Sequence, residues 1–457
     1  MDSPNIIKSI IIYALPLIFI NLISSLFNSV DMIMLDKFDL TAGSTAVASV
    51  GATSSIVHLI VNSFFGIGSG VKIVLAHQLG AHHKIQVRRT ISTAVIMAFV
   101  MGILVSVVGF FLSGLFLELT KCPSDCIDGA RIYLQIYMLG VPAIMVYNFS
   151  SAIITAGGDT KRPLYYMMIS GASNVVLNFI LLNFLEQKVM AVAIATAVSQ
   201  VIGATLCMIK LMTNKGICSF RIKGMRFCFS SFKKIIKNGL PLAVSSALYP
   251  FSNLQIQTQL NELGSAVVAG SAAAANIESL VASLGSSAMS STVTVFVGYN
   301  IGAKRNERVK KSMLTCLALG VGVSITAALI CMIFSTQIAS LYVTGEASVK
   351  AAQIRMFTNV LFYFIATAQG VFGHTIQAFG YSFLSTFNSI FWVFCFRIFW
   401  MFAIYPPLKD LSAPLESMFW IAVCWPISWC CVLLTNVVFF LFLYYRRFKK
   451  GRLKNVG

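Results

Sequence analysis

The chain has 457 residues, 57% of them hydrophobic and 11% charged, and its mean hydropathy is +0.83. Soluble globular domains carry about 25% charged and about 45–50% apolar residues. Lipid must therefore solvate most of this chain, which excludes a globular enzyme, a coiled coil and a disordered scaffold. The net charge of +19 would suggest nucleic acid as the partner of a soluble protein, but charge placement along the chain gives it another origin.

Twelve apolar stretches follow one another at 9–34, 46–76, 90–117, 131–156, 163–185, 189–212, 235–260, 266–300, 312–342, 353–379, 383–406 and 417–445. Each is long enough for a bilayer-spanning helix, which needs about 20 residues, and none alternates with the period of a porin strand. The first is longer than a signal-peptide core and has only Lys8 as basic flank, so it reads as a retained helix. It carries Leu17, Asn21, Ser24, Asn28 and Asp31 at spacings of 4, 3, 4 and 3, which share one helical face. A hydrogen-bonded packing seam accounts for Asn21 and Ser24. It does not account for an acid, which inside a bilayer needs a partner, a cavity or a proton. Asp31 is therefore the candidate coupling carboxylate, with Asn21 and Asn28 as candidate cavity residues. Pro16, on the same helix, removes a backbone hydrogen bond and marks a bend.

In the second stretch Ser54, His58 and Asn62 form a polar stripe. His58 offers a titrating ring, although a hydrogen-bonded core histidine explains it more simply, and Lys72 is close enough to the end to snorkel. Tyr133, Tyr137 and Tyr147 in the fourth stretch are candidate cavity-wall residues. The fifth holds Ser170, Asn174 and Asn178 at i, i+4 and i+8, and the sixth holds Thr196. In the seventh, Asn253, Gln257 and Asn261 share one face and Gln255 and Gln259 another. Glu278 in the eighth is the second intramembrane acid, read either as a functional group or as an ion pair that locks its lobe. Thr367, Gly370, His374 and Gln377 line one face of the tenth. Arg397 in the eleventh is free to pair with Glu278 or to reach an interface. The 36 Phe and 19 Met residues mostly face lipid or core, and some suit a wall that repacks around varied apolar ligands.

With the N-terminus inside, 25 of the 34 Lys and Arg residues lie on or beside inner segments. This positive-inside bias orients the chain with both termini cytoplasmic. It also explains clusters such as Arg446-Arg447-Phe448-Lys449-Lys450, which abut a span, so no nucleic acid is required. The cysteines are scattered. Cys122 and Cys126 share an outer loop where a disulfide can form, Cys218 and Cys228 are too few for zinc, and His82-His83 has no partner at metal-ligand spacing. No HExxH, phosphate loop or acidic metal cluster is present, which argues against a membrane enzyme, and no repeated filter-like segment suggests a channel.

The chain repeats internally. Gln78-Leu79-Gly80-Ala81-His82-His83-Lys84-Ile85-Gln86-Val87-Arg88-Arg89 aligns with Asn300–Lys311 at an offset of 222, sharing Gly, Ala, Val and two terminal basic residues. Leu15-Pro16-Leu17 recurs as Leu240-Pro241-Leu242 at an offset of 225. Each half then has six helices: a lobe at 1–212, a basic cytoplasmic linker at 213–234 and a second lobe at 235–457. Six is even, so both halves enter from one side, as in parallel-repeat secondary transporters.

The two glycine-alanine-basic turns, Ala156-Gly157-Gly158-Asp159-Thr160-Lys161-Arg162-Pro163 and Asn28-Ser29-Val30-Asp31-Met32-Ile33-Met34 together resemble the multidrug and toxic compound extrusion (MATE) family over essentially the whole chain. The resemblance implies an all-α integral membrane protein whose twelve transmembrane helices form two pseudo-symmetric six-helix bundles in a V-shaped antiporter. It implies export of organic cations or amphipathic compounds in exchange for H+ or Na+, no cofactor, and a monomer in the plasma membrane, a prokaryotic inner membrane. It also implies that Asp31, Asn174 and Thr196 take part in cation coupling and that the first helix bends at Pro16 when the acid changes protonation. Asn178 departs from the second Asp found in family members, which weakens a Na+ cage although amide and carbonyl oxygens still bind hard cations. A lone desolvated carboxyl favours proton capture, so H+ is favoured over Na+. Tyr249 and Ala366 stand near the acidic positions that some subgroups carry in the second lobe, whereas Glu278 matches an acidic position of related sequences. A flippase for a lipid-linked saccharide is the alternative reading. Its pyrophosphate headgroup calls for a strongly basic cavity, and more than three residues from the stretch ends only Lys72 and Arg397 are basic.

Overall fold

The computed structural model describes residues 4–38, 45–120, 126–214 and 216–446, and no side chain at 25, 26, 28–33, 36–38, 45–48, 52, 55, 58 or 119. The side chains of Asn28, Asp31 and His58, the Cys122 half of the proposed disulfide, and most of the C-terminal basic cluster lie outside the described residues.

The described residues are almost entirely helical. Helices α1 (Ile6–Phe38), α2 (Thr45–Gly80), α3 (Lys84–Leu119), α4 (Ile127–Ala156), α5 (Lys161–Phe184) and α6 (Lys188–Thr213) make the first half. The second half contains α7 (Phe229–Asn261), α8 (Ser265–Ala282), α9 (Ala288–Gly302), α10 (Asn306–Ile333), α11 (Ser335–Ser340), α12 (Glu346–Arg355), α13 (Tyr363–Ala378), α14 (Ser382–Ser389), α15 (Phe396–Phe399) and α16 (Pro414–Tyr444). The eighth span is α8 and α9 joined by a π-helical turn at Ser283–Ser287; the tenth is α12 and α13 around another at Met356–Val360. The eleventh runs α14, π-helix Ile390–Cys395, α15 and π-helix Trp400–Ile404.

Eleven helical stretches among the described residues are long and apolar enough to cross a bilayer. The remaining expected span, α7, has 33 residues but is diluted by Lys233, Lys234 and Lys237 at its start and by Asn253, Gln255, Gln257 and Gln259 near its end. The tenth helix begins at Glu346 rather than at 353, because Glu346, Lys350 and Arg355 do not prevent helix formation once they have partners. Arg355 thereby lies inside the span Glu346–Ala378 rather than at its edge.

The chain packs as two compact units, Phe19–Ala243 and Met1–Ile18 with Val244–Gly457. This differs from the expected lobes at 1–212 and 235–457, since α1 changes unit after Ile18 and α7 after Ala243. The two switch points are 225 residues apart, the spacing that separates Pro16 from Pro241. Local packing gives the reason. In the Phe19–Ala243 unit, Gly66 and Gly70 of α2 press against the backbone of α7: a Cβ at Gly66 would overlap Ala243, and one at Gly70 would fall 2.6 Å from the Gly239 nitrogen. Small residues spaced by four let two helices approach this closely. In the other unit, Tyr13 of α1 stacks edge-on against Phe296 of α9 with centroids 5.5 Å apart. The basic segment 213–234 is also not a free linker. Ser231 shares a 3.0 Å hydrogen bond with Thr90, the Cys228 N–H donates to Thr93 Oγ1 at 3.0 Å, and the Phe220 N–H donates to the Leu211 carbonyl.

The repeat is reproduced at the level of single hydrogen bonds. His82 and Lys304, 222 residues apart, are the positive-φ non-glycine residues of the described chain, at 58° and 57°. The His83 N–H reaches the Gln78 carbonyl at 3.0 Å, and the Arg305 N–H reaches the Asn300 carbonyl at 2.9 Å, the six-to-one closure of a left-handed helix stop. Gly158 and Gly380 form a second pair at the same offset, with φ of 95° and 89°. Asp159 bonds back to Ile154 there as Tyr381 does to Ile376.

Candidate functional site

Two polar centres are built into otherwise apolar units. In the Phe19–Ala243 unit, α4 packs against α2, α3 and α6, and α5 lies against α6. The buried face of α5 is Ser170, Asn174, Asn178 and Leu182, the i, i+4 series expected from the sequence. Ser170 Oγ donates to the Ser199 carbonyl at 2.6 Å, and Asn174 Nδ2 to Thr196 Oγ1 at 3.5 Å. Asn178 Nδ2 donates to Asn174 Oδ1 at 3.3 Å, and Thr196 Oγ1 to the Val192 carbonyl at 2.9 Å. Asn178 is fully buried and Asn174 nearly so. The structure therefore brings Asn174, Asn178 and Thr196 together as one hydrogen-bonded chain. Gly171 lies one turn before Asn178's partner on α5, and a Cβ there would overlap the ring of Phe27 on α1, so the second half of α1 rests directly on α5. Asn21 is half-buried on α1 and Pro16 is buried.

Of the fourth-helix tyrosines, Tyr133 and Tyr137 are buried and Tyr147 is half-buried. Tyr133 and Tyr137 stack with centroids 6.1 Å apart, and the Tyr147 hydroxyl donates to the Pro163 carbonyl at 3.4 Å. In the turn between α4 and α5, Asp159 Oδ1 accepts the Arg162 N–H at 3.2 Å, and its Oδ2 pairs with the Arg162 guanidinium at 3.2 Å.

The second centre lies in the Met1–Ile18 and Val244–Gly457 unit. Glu278 does not pair with Arg397. Its Oε1 and Oε2 accept Nε and Nη2 of Arg355 at 2.8 and 2.9 Å, and Oε1 also accepts Asn359 Nδ2 at 2.9 Å. Arg355 Nη1 donates to Ser271 Oγ at 2.7 Å, and its Cζ stands 4.6 Å from the centroid of the Trp425 ring. Sequence reasoning missed Arg355 because it fell at the edge of a drawn apolar stretch. A basic residue at the third position of that stretch, with Glu278 an intramembrane acid in need of a partner, was the available signal. Arg397 is 4% exposed and donates from Nε to Ser428 Oγ at 3.1 Å.

The other candidates separate. Thr367 is fully buried and bonds Ser324 at 2.7 Å. His374 Nδ1 lies 2.9 Å from the Gly370 carbonyl, which can only accept, so this nitrogen carries the proton. Gln377 Nε2 donates to Ser385 Oγ at 3.3 Å, and Asn388 Nδ2 donates to Asn436 Oδ1 at 2.9 Å. Gln257 is exposed, with Nε2 on Asn261 Oδ1 at 2.8 Å, so it joins neither centre.

The profile of the MatE family matches residues 16–180 and 241–404, two segments whose starts lie 225 residues apart. The chain belongs to the MatE family of membrane transporters, which move small molecules and are not enzymes. It is 23% identical over 398 residues to the "Probable multidrug resistance protein YoeA" of Bacillus subtilis, covering 85% of each chain. It is 26% identical over 305 residues to "Probable multidrug resistance protein YpnP" of the same species, covering 67% of each. Its fold superposes with TM-score 0.85 and 18% identity on an outward-facing multidrug resistance MATE transporter of the MOP superfamily, covering 96% of this chain and 97% of that one. The family is a multidrug efflux family that is ion-coupled in general and uses no cofactor.

Proposed function

We propose that this chain exports amphipathic or cationic small molecules in exchange for H+, or less favourably Na+, with Asp31 as the coupling carboxylate. The observation that carries this reading is the buried Asn174–Asn178–Thr196 chain beside the contact of Phe27 with Gly171. Asp31 follows Phe27 by one turn along α1, and Asn174 follows Gly171 by three residues along α5. At a rise of about 1.5 Å per residue, two spans running the same way reach a similar depth there. Neutral amides and a hydroxyl around one carboxyl favour uptake and release of a proton, since burial stabilises the neutral acid. A second carboxylate, which would hold Na+ more firmly, is replaced by Asn178.

In this scheme protonation frees Asp31 from its polar neighbours and α1 bends at Pro16, where proline interrupts the backbone ladder. Asn21, Asn28 and His58 then border the cavity that closes. The basic segments orient both termini to the cytoplasm of the plasma membrane, and the lobes act within a monomer. The test is dye efflux from proteoliposomes under separately imposed H+ and Na+ gradients. Wild-type efflux should accelerate with the H+ gradient, and Asp31→Asn should lose that acceleration. Unchanged gradient-driven efflux by Asp31→Asn would falsify the coupling role.

A further inference from the structure

The second polar centre holds two guanidinium groups and one carboxylate. Glu278 is saturated by two hydrogen bonds from Arg355 and one from Asn359. Arg397 is as deeply buried as Arg355, and among the described residues no carboxylate lies within ion-pair distance of it. Its neutral neighbours are the Ser428 hydroxyl and the Trp425 ring, whose centroid is 5.9 Å from the Arg397 Cζ and 4.6 Å from that of Arg355. A guanidinium stays protonated and offers five donors in a planar fork, so the centre keeps a net positive charge inside an apolar unit. Such a charge is strongly disfavoured without a counter-ion.

Two independent features mark the same place. Asn359 is fully buried and its Oδ1 has no hydrogen-bond partner among the described residues, which leaves an acceptor beside the Glu278–Arg355 pair. The backbone is also irregular near Arg355, Asn359, Arg397 and Glu278. A π-helical turn follows Arg355 and contains Asn359, two more bracket the single α-turn carrying Arg397, and a fourth begins five residues after Glu278. Insertions of this kind cost helix regularity and recur at functional sites.

We propose that Arg397, with Arg355 and the face of Trp425, forms a binding centre for an oxyanion, a carboxylate or phosphate group carried by an amphipathic molecule. Arg397 supplies the uncompensated fork, which matches two oxygens of such a group. Trp425 supplies an aromatic wall, and Asn359 Oδ1 accepts an O–H or N–H of the same ligand. This concerns the second unit alone and does not rest on the coupling role of Asp31.

The test is calorimetric titration of the purified full-length protein in neutral detergent, which needs no ion gradient. The probes are 1-naphthoate, 1-naphthyl phosphate and the neutral 1-naphthalenemethanol. The wild type should bind the anionic probes at least about tenfold more tightly than the neutral one, and Arg397→Gln should abolish that ratio while leaving the neutral probe unaffected. Equal affinities in the wild type, or an unchanged ratio in Arg397→Gln, overturns the proposal. If Arg397→Gln does not fold, Arg397→Lys takes its place. Loss of the planar fork should weaken 1-naphthoate several-fold, and unchanged affinity is again fatal. In nanodiscs, displacement of 1-naphthoate by phosphatidylglycerol but not phosphatidylcholine identifies a lipid headgroup as the natural oxyanion, and its absence identifies a water-soluble one.

Discussion

At the residue scale, the Glu278–Arg355 pair shows how a buried charge is tolerated. Each carboxylate oxygen has a cationic donor, and the guanidinium plane rests on Trp425. Removing one member strands the other, which costs about 3–5 kcal/mol for a buried pair, whereas removing both is often near neutral. Glu278→Gln and Arg355→Gln should each lower the unfolding temperature in detergent clearly more than the double variant does. Additive losses would mean that the two charges do not depend on each other. The cysteines of the 213–234 segment offer a second test. A hydrogen bond from the Ser231 backbone holds the Cys228 thiol below its ordinary range, while burial pushes Cys218 up to about 11. The thiolate is the nucleophile, so at pH 7.5 iodoacetamide should modify Cys228 well before Cys218. Cys228 labelling should rise with pH with a midpoint below that of an ordinary thiol, with mass spectrometry of the peptides as the readout.

At the element scale, α2 and α7 are held together by the absence of side chains. Gly70→Val would press its added methyl groups into the backbone of Gly239 and the Ile235 carbonyl, and overpacking of this kind costs about 1–3 kcal/mol. Gly224→Ala, which meets nothing within 4 Å, is the control and should leave thermal stability unchanged. The helix-stop residues His82 and Lys304 sit in left-handed backbone that costs an L-residue about 1–2 kcal/mol. His82→Gly and Lys304→Gly should therefore each stabilise, by similar amounts because the two turns share one hydrogen-bond pattern. Opposite signs at the two positions would show that the repeated geometry is not repeated energetics. Much of this scale was legible beforehand. The Gly-Ala-basic turns and the i, i+4 asparagines of α5 come directly from spacing, because helical periodicity fixes which residues share a face. The start of the tenth helix was not, because charges that look like a loop are helical once paired across the bundle.

At the scale of the whole molecule, the repeat has diverged in chemistry while keeping the backbone of its helix-stop turns. One unit buries amides and a hydroxyl on its fifth span; the other carries Arg397, Phe396 and Trp400 on its eleventh. The apolar composition, the basic inner segments and the duplicated motifs were enough to establish a twelve-helix membrane transporter of two related halves, because bilayer thickness and backbone hydrogen bonding leave a long apolar chain few alternatives. Spacing put Asn174 and Asn178 on one face of the fifth span, and the family resemblance added Thr196. Three things were decided only in three dimensions: that α1 and α7 each change unit beyond their prolines, that Glu278 belongs to Arg355, and that Arg397 has no acid within ion-pair distance among the described residues. Those outcomes depend on which helix faces touch. Contact between residues about 80 or more positions apart is set by side-chain volume and close backbone approach, which no local pattern encodes.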